Sequence, residues 1–580
     1  MKKLYTTLLL LLTASTISSS QVPTLQWVRQ TGSGLNDYAT SMAVDAAGNV
    51  YTTGYFNGTV DFNPGIGVHN LSDIGYNTCF LSKTDASGNF VWANIVTQES
   101  NFTTPVLTID NIGNVYVTGG FIGTTDFDPG ADSTILTSVG SPNVYIAKYN
   151  GEGKLRWAKS IGGNSMGGNS ACNGTGIAID GDGNVITTGK FAYGTTDFDP
   201  GQGVNNLTAE QADYFVSKLD SAGNFVWAKQ ILNLSGLSEG ATCKISIDAA
   251  GNIYLGGTFT TKADFDPGSG VHIEKTEQGG PNIFICKLTA SGEFTWVRNI
   301  GSYYQDLGYA IKVDASGNVY VTGSFRDNPD FDPDSTEQIL YSSGMQDIFV
   351  LKLDSNGKYQ WAKKMGGSQS DAGYSLEVDR NGNVYTAGLF IGIADFDPGP
   401  GVHAMTASGN SDYISITGAS DIFISKLDPN GNYLWARQLG NSRSVSIGID
   451  ATNAVYVAGT ISGVGDFDPG VGQRYLSSEG EADIFILKLR EVSVGVNEEG
   501  IADGLTLYPS PIIGAATVQF GKTITTGTLR VLNILGQTII ERTELSGESC
   551  TIDLYNQASG MYIVELTSEG EVRRRNLVKE

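Results

Sequence analysis

One block recurs seven times along this 580-residue chain, and nothing else in the sequence restricts the fold as much. The string Asp-Phe-Asp/Asn-Pro-Gly/Asp begins at Asp61, Asp126, Asp197, Asp264, Asp330, Asp395 and Asp466, at spacings of 65, 71, 67, 66, 65 and 71 residues. A turn of the form Asp-x-x-Gly-Asn precedes each by 16 or 17 residues, starting at Asp45, Asp110, Asp180, Asp248, Asp314, Asp379 and, in degenerate form, Asp450. All 7 Trp residues occupy one repeat position: Trp27, Trp92, Trp157, Trp227, Trp296, Trp361 and Trp435. Such periodicity means that each unit is a supersecondary element burying its apolar faces against its neighbours.

Each unit reads as four short strands. In the fifth, Ala310–Val313 is the first strand and Asp314–Asn318 its hairpin turn. Val319–Phe325 is the second strand, rich in β-branched and aromatic residues. A loop with Asp330, Phe331, Asp332 and Pro333 leads to a third strand, Ile348–Leu353, a second turn, and a fourth strand, Tyr359–Met365, carrying Trp361. The turns suit short hairpins, because Gly takes a positive φ and Asp bonds its own backbone. Third strands such as IFVLKL are apolar on both faces, as expected of a sheet packed between two others. Two residues after Trp, the fourth strand carries Arg29, Lys159, Lys229, Arg298, Lys363 or Arg437, a pattern expected to guard an outer edge.

The ends of the array decide between an open solenoid and a closed ring. It begins with an orphan fourth strand, Thr24–Arg29, and ends with an orphan third strand, Ile484–Leu489, so the two fragments complete one blade. An open solenoid would need polar caps, and none is present. The expected fold is all-β: a seven-bladed β-propeller of four-stranded blades over residues 21–490, closed by an N-terminal strand. The Asp-x-x-Gly-Asn-Val-Tyr-Val-Thr-Gly-x-Phe and Asp-Phe-Asp-Pro-Gly signatures resemble the bacterial β-propeller repeat family named for its seven-bladed propellers, over about residues 24–490.

The flanks carry addresses. Residues 1–20 show Lys2 and Lys3, an apolar run from Leu4 to about Ala14, and Ser18–Ser20, the order of a secretory signal peptide. That run is too short to span a bilayer, so no transmembrane segment is expected. A polar linker, 491–504, precedes a small all-β domain, 505–580, expected as a β-sandwich. Tyr508-Pro509-Ser510-Pro511, a Gly536 turn, Ala558-Ser559-Gly560-Met561-Tyr562 and Lys579 resemble the sorting domain of type IX secretion in Bacteroidetes, which usually has Asn where Ser510 stands. The resemblance implies the type IX machinery as a partner and export through the periplasm, to the outer cell surface or the medium.

A formal charge of −24 disfavours nucleic acid and anionic membranes as partners, and a monomer is expected. The 3 His residues, His69, His272 and His403, each follow the first Asp of a loop by eight positions in different blades. They read as repeat residues, which disfavours His-based triads and His-ligated zinc. Cys172 and Cys243 precede first strands of adjacent blades, leaving a disulfide open beside the commoner unpaired state.

No cofactor is expected, with calcium the alternative. Asp126, Asp128, Asp197, Asp199, Asp264 and Asp266 offer hard oxygens, two carboxylates per loop. In the competing reading Asp accepts backbone N–H bonds, Phe plugs the gap between blades and Pro-Gly turns the chain. Both tight turns of each blade fall on one face, so the variable connections share the other, where function is expected. Candidate ligand contacts there are Asp37, Tyr303, Tyr304, Asp306 and Asp371, the three Asp being either an acidic rim or loop caps. Two functions remain: a secreted or cell-surface binding scaffold for a glycan or protein, or a polysaccharide-active glycosidase or lyase using carboxylates. The insertions Gly162–Thr175 and Ala404–Ser420 are Gly/Ser/Asn-rich and short of charge, which favours binding.

Overall fold

The computed structural model describes residues 21–73, 77–97, 104–138, 142–162, 172–233, 243–276, 280–332, 337–408, 420–470, 472–493, 505–508, 515–533, 537–557, 560–568 and 571–579. The signal segment, most of both insertions, most of the linker and residues 509–514 lie outside them. Ser20–Val492 forms one compact unit and Ser493–Glu580 belongs to a second. The described residues are all-β, and among them no helix is long and apolar enough to cross a membrane.

In the first unit, blade 1 is an antiparallel sheet of Tyr38–Val44, Val50–Phe56, Thr78–Thr84 and Phe90–Thr97 in sequential order. The pattern repeats from Val106, Asn173, Cys243, Leu307 and Ala372. Tyr433–Ile449 runs unbroken as the fourth strand of blade 6 and the first of blade 7. Blade 7 adds Val455–Ile461 and Asp483–Ser493, and its fourth strand is the N-terminal segment Gln21–Thr31. The two ends of the array therefore share one sheet, as the orphan strands predict. Both are longer than the sequence suggested, and the third strand continues past residue 490 to Ser493.

All seven first strands line a central channel of about 570 Å³. Serines stitch neighbouring ones together: Ser41 Oγ accepts from Leu107 N (3.2 Å), Ser446 Oγ from Met42 N (3.3 Å) and Ser375 Oγ from Ile447 N (3.2 Å). Second strands such as Val115–Phe121 and Val455–Ile461 are buried along their length, as a sheet covered on both faces requires.

The tight turns work as their residues dictate. Asp45 Oδ1 accepts from Ala47 N and Asn49 N, both 2.9 Å, while Gly48 sits at φ 81°. In the degenerate seventh turn, Asn453 takes that role at φ 63°.

Blades interlock through the Trp position. Trp92 Nε1 and Lys83 Nζ of blade 1 both donate to Gly151 O, in the turn between the third and fourth strands of blade 2, at 3.1 Å each. Trp361 and Lys352 converge on Pro429 O in the same way (3.0 and 3.2 Å), and Trp27 and Lys488 on Ala86 O (3.1 and 3.4 Å). Each Lys ammonium also lies over a second-strand Tyr ring, as Lys83 does over Tyr51 at 4.9 Å. The turn glycine fits against the indole: a Cβ on Gly88 would come within 2.8 Å of Trp27. The basic residue after Trp belongs to this joint in some blades. Arg29 Nε donates to Gly88 O (2.7 Å) and Arg298 Nε to Gly357 O (2.8 Å), so these arginines clasp the next blade rather than guard a bare edge.

Blade 7 has no turn after its third strand, because the chain leaves there. Glu491 supplies the missing acceptor. Its Oε1 takes Trp435 Nε1 at 2.9 Å, and its two oxygens take Lys426 Nζ at 2.7 and 2.8 Å. This ion pair is buried, with side chains 4% and 9% exposed.

The Asp-Phe-Asp loop is not irregular but the tip of a short hairpin, Thr59–Asp61 with Asn70–Ser72 in blade 1. Three-residue strands carry too little periodicity to be read from sequence. Some of these hairpins pair with the preceding blade's fourth strand, as Asp264 with Leu232 and Asp395 with Gly366. Phe265 is buried in a cluster drawn from blades 3 and 4, and Phe467 in one from blades 6 and 7.

The second unit is one five-stranded sheet built on Ala515–Asn533. A strand of 19 residues would extend roughly 60 Å. Yet Val518 and Phe520 from one end and Leu529 and Val531 from the other share one core. Register shifts between Gln519 and Leu529 mark where the strand bends to allow this.

Candidate functional site

The antiparallel order puts both tight turns of each blade at one face and the variable connections at the other. Asp37, Asp306 and Asp371 lie on the variable side, at the lead-in to first strands, but they do not form an accessible rim. All three are 0% exposed, and each ties its lead-in loop to a residue at the end of a second strand or just past it. Asp37 accepts from Ser33 N (2.6 Å) and Asn57 N (3.0 Å). Asp306 accepts from Ser302 N (2.6 Å) and Arg326 N (3.1 Å), and Asp371 from Gly367 N (2.7 Å) and Ile391 N (3.1 Å). The expectation that these carboxylates meet a ligand at the surface is corrected by their burial; they are loop staples.

Burial pushes the Asp37 and Asp306 carboxyls up to about 6, and Asp371, with Asp347 beside it, up to about 8. A carboxyl held above its unfolded value stabilises the fold in its protonated form. That contribution is complete below the ordinary value of 3.8 and is lost as pH rises through about 8. Asp371→Asn should therefore flatten the fall in melting temperature between about pH 4 and 8, which a thermal-shift series across that range measures. An unchanged pH profile in the variant would contradict this role for Asp371.

Sequence reading missed a second set of buried acids at the start of third strands. Asp213, Asp421 and Asp483 each accept from a fourth-strand glutamine: Gln230 (2.6 Å), Gln438 (2.6 Å) and Gln30 (2.7 Å). Asp347 instead faces Lys364 at 3.4 Å. The signal was present in the polar residue that opens strands such as Asp421–Leu427 and Asp483–Ser493.

Tyr303 and Tyr304 do stand at the surface, 58% and 42% exposed, on the loop that Asp306 anchors. Their rings meet edge to face with centroids 5.2 Å apart, and the Arg326 guanidinium lies 4.5 Å over Tyr304. The result is an aromatic platform backed by a cation on a pinned loop.

The carboxylates of the Asp-Phe-Asp loops are engaged by their own backbone. Asp126 Oδ1 accepts from Asp128 N (3.1 Å) and Thr134 N (2.8 Å), and Asp128 Oδ1 from Gly130 N (2.8 Å). Asp197 with Asp199 and Asp264 with Asp266 repeat this pattern. Among the described residues no three His, Cys, Asp or Glu side chains gather as a metal-holding group. The residue eight positions on contributes its backbone N–H, which explains why Thr134, Asn205, His272 and Arg474 serve equally. The His rings pack on fourth-strand aromatics, His69 on Phe90 and His272 on Phe294, in separate blades. Cys172 and Cys243 are buried free thiols, so the disulfide left open by the sequence is not formed.

Known proteins resemble both units. Residues 506–580 match the secretion system C-terminal sorting domain, and residues 26–60 match a beta-propeller repeat. An uncharacterized WD repeat-containing protein of Acanthamoeba polyphaga mimivirus is 21% identical over 519 residues, covering 75% of this chain and 36% of that protein. Regulatory protein FlaEY of Caulobacter vibrioides is 27% identical over 111 residues, 19% of this chain and 12% of its own length. The chain thus spans about a third or less of these relatives. A protein of unknown function from Bacteroides caccae aligns with 58% of this chain and 94% of its own, at 11% identity and a TM-score of 0.22. One from Bacteroides thetaiotaomicron aligns with 66% and 98%, at 12% identity and a TM-score of 0.19. Residues 506–580 are thus a secretion system C-terminal sorting domain, which directs export to the cell surface or the medium, and they follow an all-β unit in which residues 26–60 carry a beta-propeller repeat.

Proposed function

We propose that this exported propeller is a binding and display module whose ligand, an extracellular glycan or protein, docks on the long-loop face. The exposed Tyr303–Tyr304 pair carries this reading, because it breaks the repeat, sits on an anchored loop and suits stacking against sugar rings or apolar side chains. A glycan array with the full mature chain, run with and without EDTA, should give hits that Tyr303→Ala/Tyr304→Ala abolishes. Ile112→Ser, at an 80% exposed position in a tight turn, should leave them intact. The opposite pattern would refute the assignment, and loss of hits in EDTA would restore calcium. A glycosidase or lyase fits less well, because Asp37, Asp306 and Asp371 are enclosed by their own loops.

The sorting domain serves as an address in this reading. Removing residues 505–580 should leave the propeller folded but retained in the periplasm of the native host. Fractionation and immunoblotting measure this, and normal surface or medium levels of the truncated protein would contradict it.

A further inference from the structure

The channel differs in charge from the rest of the molecule. The protein carries −24, yet the charged residues lining the channel are Lys244, Lys312 and Glu377, a balance of two positive to one negative. Lys312 and Glu377 neutralise each other at 2.7 Å across the junction of blades 5 and 6. Lys244 has no ion pair among the described residues; its Nζ donates to Thr175 O at 3.1 Å, which uses one of the ammonium's three donors. The blade fold does not require it, since the equivalent positions are Ser41, Val106, Gly176, Ala310, Ser375 and Ser446. Burial holds its ammonium below the ordinary lysine value, the direction expected of an uncompensated cation.

An aromatic wall stands at nearly the same depth. Tyr309 and Tyr374 occupy the position one residue earlier in the first strands of blades 5 and 6, and their rings pack at 4.8 Å. One strand residue is a step of about 3.3 Å, so the backbones of Lys244, Tyr309 and Tyr374 stand within about one step of each other along the strands that line the channel. The aspartates of the adjoining tight turns are folded back on their own amides, as Asp248 is on Ala250 N and Asn252 N. The volume of about 570 Å³ falls within the range of small-molecule sites.

We propose that the channel binds a small ring-bearing carboxylate of the uronate type, with Lys244 holding the carboxylate and Tyr309 and Tyr374 flanking the ring. An anion disfavoured by the outer surface would find there a largely buried cation, while Glu377, the one carboxylate of the lining, is held by Lys312. This site is separate from the long-loop face and does not rest on the reading given for it.

The test is calorimetric titration of the full mature chain with galacturonate, galactose and inorganic phosphate at constant ionic strength. Galacturonate should bind, galactose should bind at least tenfold more weakly, and phosphate should lack the contribution of the ring wall. Lys244→Met should lose roughly tenfold or more in galacturonate affinity, Lys244→Arg should retain most of it, and Ile112→Ser should not change it. If Lys244→Met misfolds, NMR of lysine ε-carbons in the unmutated chain decides, because galacturonate should raise the Lys244 pKa. No galacturonate binding, unchanged affinity in Lys244→Met, an unmoved Lys244 titration, or phosphate or galactose binding equal to galacturonate would each overturn the proposal.

Discussion

Deleting Gln21–Thr31 from the mature chain should abolish the cooperative fold of the propeller rather than trim it. That strand is the fourth of blade 7, and it also carries the joint to blade 1. Trp27 donates to Ala86 O, Arg29 to Gly88 O, and Gln30 to both Asp483 and Ser477 O. Each hydrogen bond contributes about 1 kcal/mol, and loss of a large packed aromatic costs roughly 3–5 kcal/mol. Their sum is comparable to the whole stability of a typical domain, about 5–15 kcal/mol. The deletion also exposes Asp483–Ser493 as a long bare edge, a template for aggregation. Size-exclusion chromatography and thermal melting check this. A monodisperse variant with unchanged melting would mean that the ring does not depend on its N-terminal closure.

The second large effect should come from Glu491. Replacing it by Ala leaves the Lys426 ammonium, 4% exposed, without its partner and Trp435 without its acceptor. Breaking a buried pair on one side costs about 3–5 kcal/mol. Glu491→Gln keeps an acceptor for Trp435 and should lose less. Trp435, 3% exposed, should cost a similar roughly 3–5 kcal/mol on truncation to Ala. The half-buried Trp92 and Trp157 should cost less than full burial of every Trp would imply. Because Glu491 and Trp435 share one contact, the double variant should lose less than the sum. Denaturant unfolding measures all of these. Losses under about 1 kcal/mol for both single variants would show that the joint is dispensable.

The parts of the fold legible in sequence were those set by local chemistry repeated many times. Asp45 and Gly48 specify a tight turn wherever they occur, and the seven Trp residues fix the period. The orphan strands around Trp27 and Phe485 declared the closure, because a missing strand at one end matched a surplus strand at the other. What stayed hidden depends on neighbours in space. Whether Asp37 or Asp371 faces water is decided by loops that fold over it, and the residues themselves read as rim or cap alike. Arg29 looked like an edge guard because the turn it clasps belongs to another blade, some 59 residues along the chain. Glu491 lies just past the repeat, where no periodicity marks it, and its role exists only once the ring leaves one turn unfilled. The exposure of Tyr303 and Tyr304 was legible for the opposite reason: they depart from the repeat, and a departure on a surface loop needs no partner to be seen.

The closure has a consequence in time. Gln30 and Asp483, joined side chain to side chain, are 453 residues apart in sequence. The first strand of the propeller to be synthesised therefore has no partner until the last blade has been made. Contacts so distant are among the slowest to form, although their extra entropic cost grows only with the logarithm of the separation. Until then the nascent array carries an open edge at each end, and any premature arrest leaves both edges bare. The hydrogen bonds that close the ring can form only once the final blade has been made.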